Sequence, residues 1–530
     1  MTALMSTNFV QVKPKPICRK QKLAWAPIYL LIPLLALAAV LVTYDWYTGA
    51  LGVLAPGAVI EESAGGRVIK VPPGGNLQAA LDQATSGDVV ELQGGAVYNG
   101  QISLPNKPLT DYVTIRSSAF AELPDGARVS PAQRSKMATI VAGMAGRGAI
   151  KAADGANHYR FVGIEFTADS MTFNYGIVLL GNEEKRPDRV PHDIEIDRSY
   201  IHPSGTTVSR RGIALNSAAT VIRNSYISGF GFPEQETQGI CGWTGTRDVK
   251  ILNNYIEGGA ENIMFGGADI DNAELIPTNI EIRGNHLNKP RSWATTATVK
   301  TLFELKNAKN VTFAGNYLEN NWKGSAFRVT VRNQDGGSPY STIEDVVIRD
   351  NFVHGTGDGI NILGKDDVHP SGTLRRLTIE NNIFVDVVGE NNGFDGSGYF
   401  IQITDGEGIT IANNTVFNRG NIATIYDTIP RGFVMRDNIV GVGAYGVHAA
   451  LDMKSEQTRA MFSGNVLMNL NGVRDGDAAI PAGNTVVGGA GDVSFIDTGH
   501  GDYRLSANSK YRGKGASLAP LIGITSPASD

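Results

Sequence analysis

The stretch Val249-Lys250-Ile251-Leu252-Asn253-Asn254-Tyr255-Ile256 decides the fold: apolar residues at spacing two, an asparagine at 254, and another apolar residue two positions on. The same frame returns at Asn285, Asn316, Asn351, Asn382, Asn414, Asn438 and Asn465, at spacings of 31, 31, 35, 31, 32, 24 and 27 residues. One supersecondary unit repeated at such a period marks a solenoid. Within each repeat the apolar residues alternate, as in Val311 and Phe313 before Asn316 and Leu318 after it, or Ile409 and Ile411 before Asn414 and Val416 after it. A period of two belongs to β-strands and not to paired helices.

Asparagine suits a tight bend because it tolerates the left-handed conformation and its amide both donates and accepts. Stacked at the strand spacing of about 4.8 Å, such amides are expected to form a ladder that satisfies buried polar groups. Ser225 and Ser199 hold the same place in two earlier coils, and Tyr159 to Phe166 reads as a coil without a polar rung. This pattern resembles the right-handed parallel β-helix of the pectin lyase-like superfamily. The resemblance covers roughly residues 65 to 525 and implies an all-β, single-stranded solenoid. Asn76 to Ala84 reads as a short amphipathic helix with Asn76 as N-cap and Gly87 beyond its end. It resembles the helix that caps the N-terminal end of such solenoids, ahead of the strand Asp88 to Leu92, and Gly501 to Leu505 resembles their closing segment. The 63 glycines, outnumbering 23 prolines, and an aromatic content of only 8% fit many short strands joined by turns. At 530 residues several domains would be the usual expectation, but a repeat core lengthens without thickening.

Residues 23 to 43 carry no charge and are long enough to span a bilayer. Lys13, Lys15, Arg19, Lys20 and Lys22 precede them with no acid among them, so the positive-inside rule leaves residues 1–22 as a cytoplasmic tail and 23–43 as a signal-anchor. Residues 44–64 then form a linker, and the β-helix lies on the periplasmic or extracellular side of the inner (cytoplasmic) membrane. Ala36-Leu37-Ala38 offers the alternative of a cleaved signal and a secreted domain. Cys18 and Cys241 would fall on opposite sides of the membrane, so no intrachain disulfide is expected.

The formal charge is −5, yet residues 283 to 332 hold nine cations (Arg283, Lys289, Arg291, Lys300, Lys306, Lys309, Lys323, Arg328, Arg332) against Glu304 and Glu319. Gathered on one face, these would concentrate an anionic ligand; scattered around the solenoid, they would not. Across a membrane, nucleic acid is not expected and an acidic polysaccharide fits better. With the apolar residues of successive strands turned inward, Glu304, Arg328, Asn361 and Gln402 become outward neighbours, with Lys306 in the next column and Arg332 beyond it. Such a polar stripe can hold an extended glycan. It can equally be a solvated face with a Glu304–Arg328 ion pair worth roughly 0 to 1 kcal/mol.

The order Lys306, Asn310, Asn316, Gly324, Arg328 resembles the Lys-then-Arg segment of alginate lyases and chondroitinase B. That resemblance implies Lys306 as base and Arg328 as second catalytic residue, with Arg332 as a rival for the arginine and Glu304 the acid of the matching strand. Taking the C5 proton of a uronate needs its carboxylate neutralised and a base within hydrogen-bond reach. A lysine serves as base only as the free amine, which a neighbouring guanidinium favours. Glu261 and Asp358 stand where related hydrolases keep their acids, but three coils separate them, about 14 Å at the strand spacing and too far for an inverting pair. Asp366 and Asp367 read as a turn. Asp269 and Asp271, with Glu274 near, offer oxygen ligands for Ca²⁺. Trp243, Trp293 and Trp322, with Arg291 on the long connection Leu287 to Thr301, lie on or beside the stripe as sugar platforms or as loop packing.

The sequence therefore points first to a membrane-tethered lyase or epimerase of a uronate-containing polysaccharide. A non-catalytic glycan-binding or envelope-structural solenoid and a glycoside hydrolase stand as the alternatives.

Overall fold

The computed structural model describes residues 59–63, 66–143, 148–169, 173–181, 184–205, 207–390, 393–470 and 479–519. The basic tail, the apolar segment 23–43 and most of the linker lie outside them. No helix among the described residues is long and apolar enough to cross a membrane.

Each coil gives one strand to a 15-stranded sheet and, past the asparagine bend, strands to a 24-stranded sheet, and from Gly66–Val71 onward every pairing in both is parallel. Thr278–Arg283 pairs with Ala308–Ala314 so that Ile280 meets Val311 and Ile282 meets Phe313, all four turned into the core. The helix Leu77–Gln83 is capped by Asn76, whose side chain accepts from Ala79 N at 3.0 Å, and it buries Leu77, Ala80 and Leu81. Inside the solenoid, the rings of Phe303, Phe313, Phe327, Phe384 and Phe400 pack in sequence with centroids 4.4 to 5.9 Å apart. They form an aromatic spine under the strands that carry the polar stripe.

The ladder is continuous. Asn285 Nδ2 donates to Asn316 Oδ1 at 3.0 Å while Asn285 N donates to the same oxygen at 2.9 Å, and Asn316 repeats both bonds to Asn351. Ser199 and Ser225 extend it upward, and Asn465 passes it to Asn484, a rung the spacing did not reveal. One expectation needs correcting. The left-handed residue is not the ladder asparagine but the one before it: Asn253 (φ 53), Gly284 (φ 64), Gly315 (φ 63), Asp350 (φ 59) and Asn381 (φ 54). Glycine, asparagine and aspartate recur there because other residues pay a steric penalty in that region, which frees the ladder amide for bonding along the axis. Asn316→Leu is expected to lower stability by about 1 to 3 kcal/mol, because it strands buried groups of the adjoining rungs. Thermal melting checks it, and an unchanged midpoint would contradict the ladder's role.

The closing segment also differs from the expectation. Asp502–Leu505 pairs antiparallel with Phe495–Asp497, and Tyr503 packs beside Phe352 and Phe417, centroids 6.0 and 5.3 Å away. It covers outward aromatic residues on the flank of the coils.

Candidate functional site

The expected stripe is present in register. Met264, Glu304, Arg328, Asn361, Gln402, Thr424 and His448 are successive partners across seven coils of the 24-stranded sheet. Inward Phe303 and Leu305 fix the outward phase of Glu304.

Burial changes what these residues do. Glu304 is only 2% exposed, and among the described residues it makes no ion pair with Arg328. Its cation is Lys300, 3.9 Å from Oε2, and the same ammonium sits 2.9 Å from Glu261 Oε1 and 3.2 Å from Glu236 Oε1. Gln238 donates to Glu261 Oε2 at 2.8 Å. Glu261 and Glu304, in adjoining coils, thus form a buried carboxyl pair. Burial pushes the Glu304 carboxyl up to about 7, with Glu261 adding to the rise against the pull of Lys306 and Lys300. Burial would raise Glu261 as well, but Lys300, Gln238 and Lys306 together hold it below the usual range. Below about pH 7 the pair holds a proton, and it sits mainly on Glu304.

A pH test follows from that direction. Between the ordinary 4.5 and about 7, folded Glu304 holds a proton that the unfolded chain has lost, so its contribution to stability falls as pH rises through this window. Glu304→Gln keeps the neutral shape. The variant is expected to melt above the wild type at pH 8 and level with it at pH 5; equal midpoints at both values would contradict a protonated Glu304.

Lys306 follows Leu305 at the end of the strand, half-buried, and among the described residues its ammonium makes no hydrogen bond or ion pair. Its chain lies across Gly266 and Gly267, both left-handed (φ 88 and 90). A Cβ on Gly267 would stand 3.3 Å from Lys306 Cδ and 3.2 Å from Met264 Cε, so the two glycines leave room for the lysine. Gly267 also lines a cleft of about 360 Å³ with Trp243, Asp269 and Asp271. Arg328, in the next coil, is half-buried and likewise without an ion pair among the described residues. Its charge acts on Tyr399, whose hydroxyl lies 2.8 Å from Ser325 Oγ and also meets the Asn361 side chain.

The rest of the basic stretch does not form one face. Arg283 pairs with Glu281, Lys309 with Glu344 and Lys323 with Asp395, and the rival Arg332 is tied to Asp367. Lys300, Lys306 and Arg328 are the cations that gather at the stripe. The tryptophans divide. Trp322 is 6% exposed, with Arg291 5.5 Å above its ring and also 4.6 Å from Phe394, so it packs the loop and presents no open platform. Trp293 lies directly on the backbone of Gly231, where a Cβ would come within 2.3 Å of its ring, and joins two loops. Trp243 is half-buried beneath the Arg211 guanidinium at 4.5 Å.

Asp269 and Asp271, the expected Ca²⁺ ligands, each meet protein partners. Asp269 Oδ2 accepts from the backbone of Asp335 and Gly337 at 2.9 and 2.6 Å, and Asp271 pairs with Lys185. Among the described residues no group of three His, Cys, Asp or Glu side chains is placed to hold a metal ion. Asp366 accepts from Asn333 N at 2.9 Å and His369 N at 2.7 Å as a turn residue. Asp358 is paired in register with Ser325 and buried, which pushes it up to about 6, while Ser397 N donates to it at 2.7 Å.

Two participants escaped the sequence reading. Lys300 was one cation among nine, and it reaches Glu304 from the connection before the strand. Glu261 was weighed against Asp358, whereas register places it one coil from Glu304.

No protein-family model and no curated protein matches the chain. Among solved structures it is similar to AlyGC, an alginate lyase of family PL6, at 14% identity and a TM-score of 0.50, over 86% of this chain and 59% of that one. It is also similar to an alginate lyase from Paenibacillus sp. str. FPU-7 (15% identity, TM-score 0.33, 79% of this chain and 98% of that one). A third is the catalytic unit of a GH87 α-1,3-glucanase from Streptomyces thermodiastaticus strain HF3-3 (13% identity, TM-score 0.44, 82% and 71%). At these identities the likeness is one of fold: the chain is a right-handed parallel β-helix.

Proposed function

We propose that this β-helix cleaves a uronate-containing polysaccharide by β-elimination at Lys306. The observation that carries the reading is Lys306 itself: a half-buried lysine whose chain lies against Gly267 of the cleft, with Arg328 in the adjoining coil, neither making an ion pair among the described residues, and a buried carboxyl pair behind them. In this scheme Lys306, as free amine, takes the C5 proton. Arg328 neutralises the C6 carboxylate so that charge building at C5 can spread into it. The C5–H electron pair becomes the C4=C5 double bond, the C4–O4 bond breaks, and the Lys306 ammonium returns the proton to O4. Glu261 and Glu304 hold Lys300 in place and, carrying one proton between them, limit the negative charge facing an anionic substrate.

The pair speaks against hydrolysis as the chemistry. Retaining and inverting glycosidases keep their carboxyls roughly 5 to 9.5 Å apart on either side of a scissile bond that must reach both, whereas Glu261 and Glu304 lie on adjoining strands of one sheet, both buried and held to one Lys300 ammonium. AlyGC is an alginate lyase, which puts alginate among the uronans to try first. We further propose, from residues 13 to 43, that the domain is tethered outside the cytoplasmic membrane. Retention of full-length protein in the membrane fraction after a carbonate wash is expected; recovery of a shortened soluble form would mean a cleaved signal.

Incubating the soluble domain with a panel of uronans tests the activity. A rise in absorbance at the unsaturated-uronate band is expected, while new reducing ends without that rise would indicate hydrolysis. Arg328→Ala should weaken both turnover and binding, and the binding defect should shrink in high salt as the lost charge is screened.

A further inference from the structure

The polar stripe does not stop at Arg328. Gln402 stands two coils further on and His448 four, about 10 to 19 Å along the axis at about 4.8 Å per coil. There the sheet opens into a cleft of about 420 Å³ lined by Gln402, Arg419, Asn421, Tyr426, Tyr445 and His448. Tyr426 is 46% and Tyr445 62% exposed, unusual for large rings in this chain, and Tyr445 sets its ring 5.7 Å from the His448 ring. Tyr399 connects this cleft to the coil of Arg328. It forms part of the cleft floor, and its hydroxyl meets Ser325 and Asn361 beside Arg328.

We propose that this cleft is a second glycan subsite, gripping the strand that passes Lys306 at a point two to four coils away. Exposed rings flanked by amide, imidazole and guanidinium groups match a pyranose, which offers apolar C–H faces to an aromatic ring and hydroxyls to polar side chains. The strand that passes Lys306 is a uronan in the function proposed above, so the occupant is an acidic sugar residue of the same chain. The acidic occupant and the shared strand rest on the reading of the Lys306 site; the aromatic grip does not. A consequence is that long chains bind better than short ones.

Affinity electrophoresis of the soluble domain through gels containing alginate, polygalacturonate or neutral dextran tests this. Wild type and Lys306→Ala should both be retarded by at least one uronan and not by dextran. Tyr426→Ala/Tyr445→Ala should lose that retardation, at least tenfold in apparent Kd, with an unchanged melting temperature because both rings are exposed. Wild-type retardation of the double variant, or free migration of the wild type in every gel, would overturn the subsite. Equal retardation by dextran would overturn its acidic occupant. Retardation without any unsaturated product would leave the aromatic subsite standing and sink the β-elimination reading alone.

Discussion

Lys306→Ala should abolish uronan cleavage, by about 10² to 10⁴-fold or more, the range that a positioned base contributes, while the melting temperature stays within a degree or two of wild type. Both halves follow from one observation. Lys306 extends outward past Leu305 across Gly266 and Gly267 and makes no ion pair among the described residues. Losing it removes no core packing, and the charge it lends the buried Glu261–Glu304 pair is shared with Lys300, so the change is expected to be worth little in stability. Arginine should not restore activity, because a guanidinium does not give up its proton at neutral pH. If Lys306→Ala cleaves at the wild-type rate, the base has been misassigned and the stripe is a binding face.

Lys289→Met should have the largest effect on stability. Lys289 is wholly buried, and its ammonium donates to Gly258 O at 2.6 Å, Gly259 O at 2.7 Å and Asn262 Oδ1 at 2.9 Å. Burial pushes the group down to about 7, but three close oxygens matching the three donors of an ammonium pull the other way. Methionine fills the space and leaves those oxygens without a donor, at about 1 to 3 kcal/mol for each. The damage should spread to the site, since Gly258, Gly259 and Ala260 form the turn that delivers Glu261. A large drop in melting temperature, with residual activity reduced even well below the midpoint, is the expected result. A variant as stable as wild type would show that the turn stands without its buried cation.

The β-helix was legible because one residue type repeats at a buried bend where the amide alone does the bonding, so Asn254 through Asn465 announce themselves. The outward column Glu304, Arg328, Asn361, Gln402 was legible for a related reason: inward Phe303, Phe327, Ile360 and Ile401 fix the phase of every strand. Side-chain partners were harder. Lys300 reaches Glu261 and Glu304 from the end of a long connection whose path no periodicity encodes, so the ion pair was assigned to Arg328, the register neighbour. Trp322 stayed open between a sugar platform and loop packing because an outward residue under a loop looks, in sequence, like one facing solvent. Tyr426 and Tyr445 passed unnoticed since their exposure depends on coils that shorten to spacings of 24 and 27 residues near the C-terminal end.

If Lys306 drives an elimination, proton NMR of a digest of alginate or polygalacturonate by the soluble domain will show it at the bond that forms. The expected result is the vinyl H4 signal of a 4,5-unsaturated uronate at the new non-reducing ends, absent from the Lys306→Ala digest. New chain ends that carry no vinyl proton, or the same vinyl signal from Lys306→Ala, would contradict it.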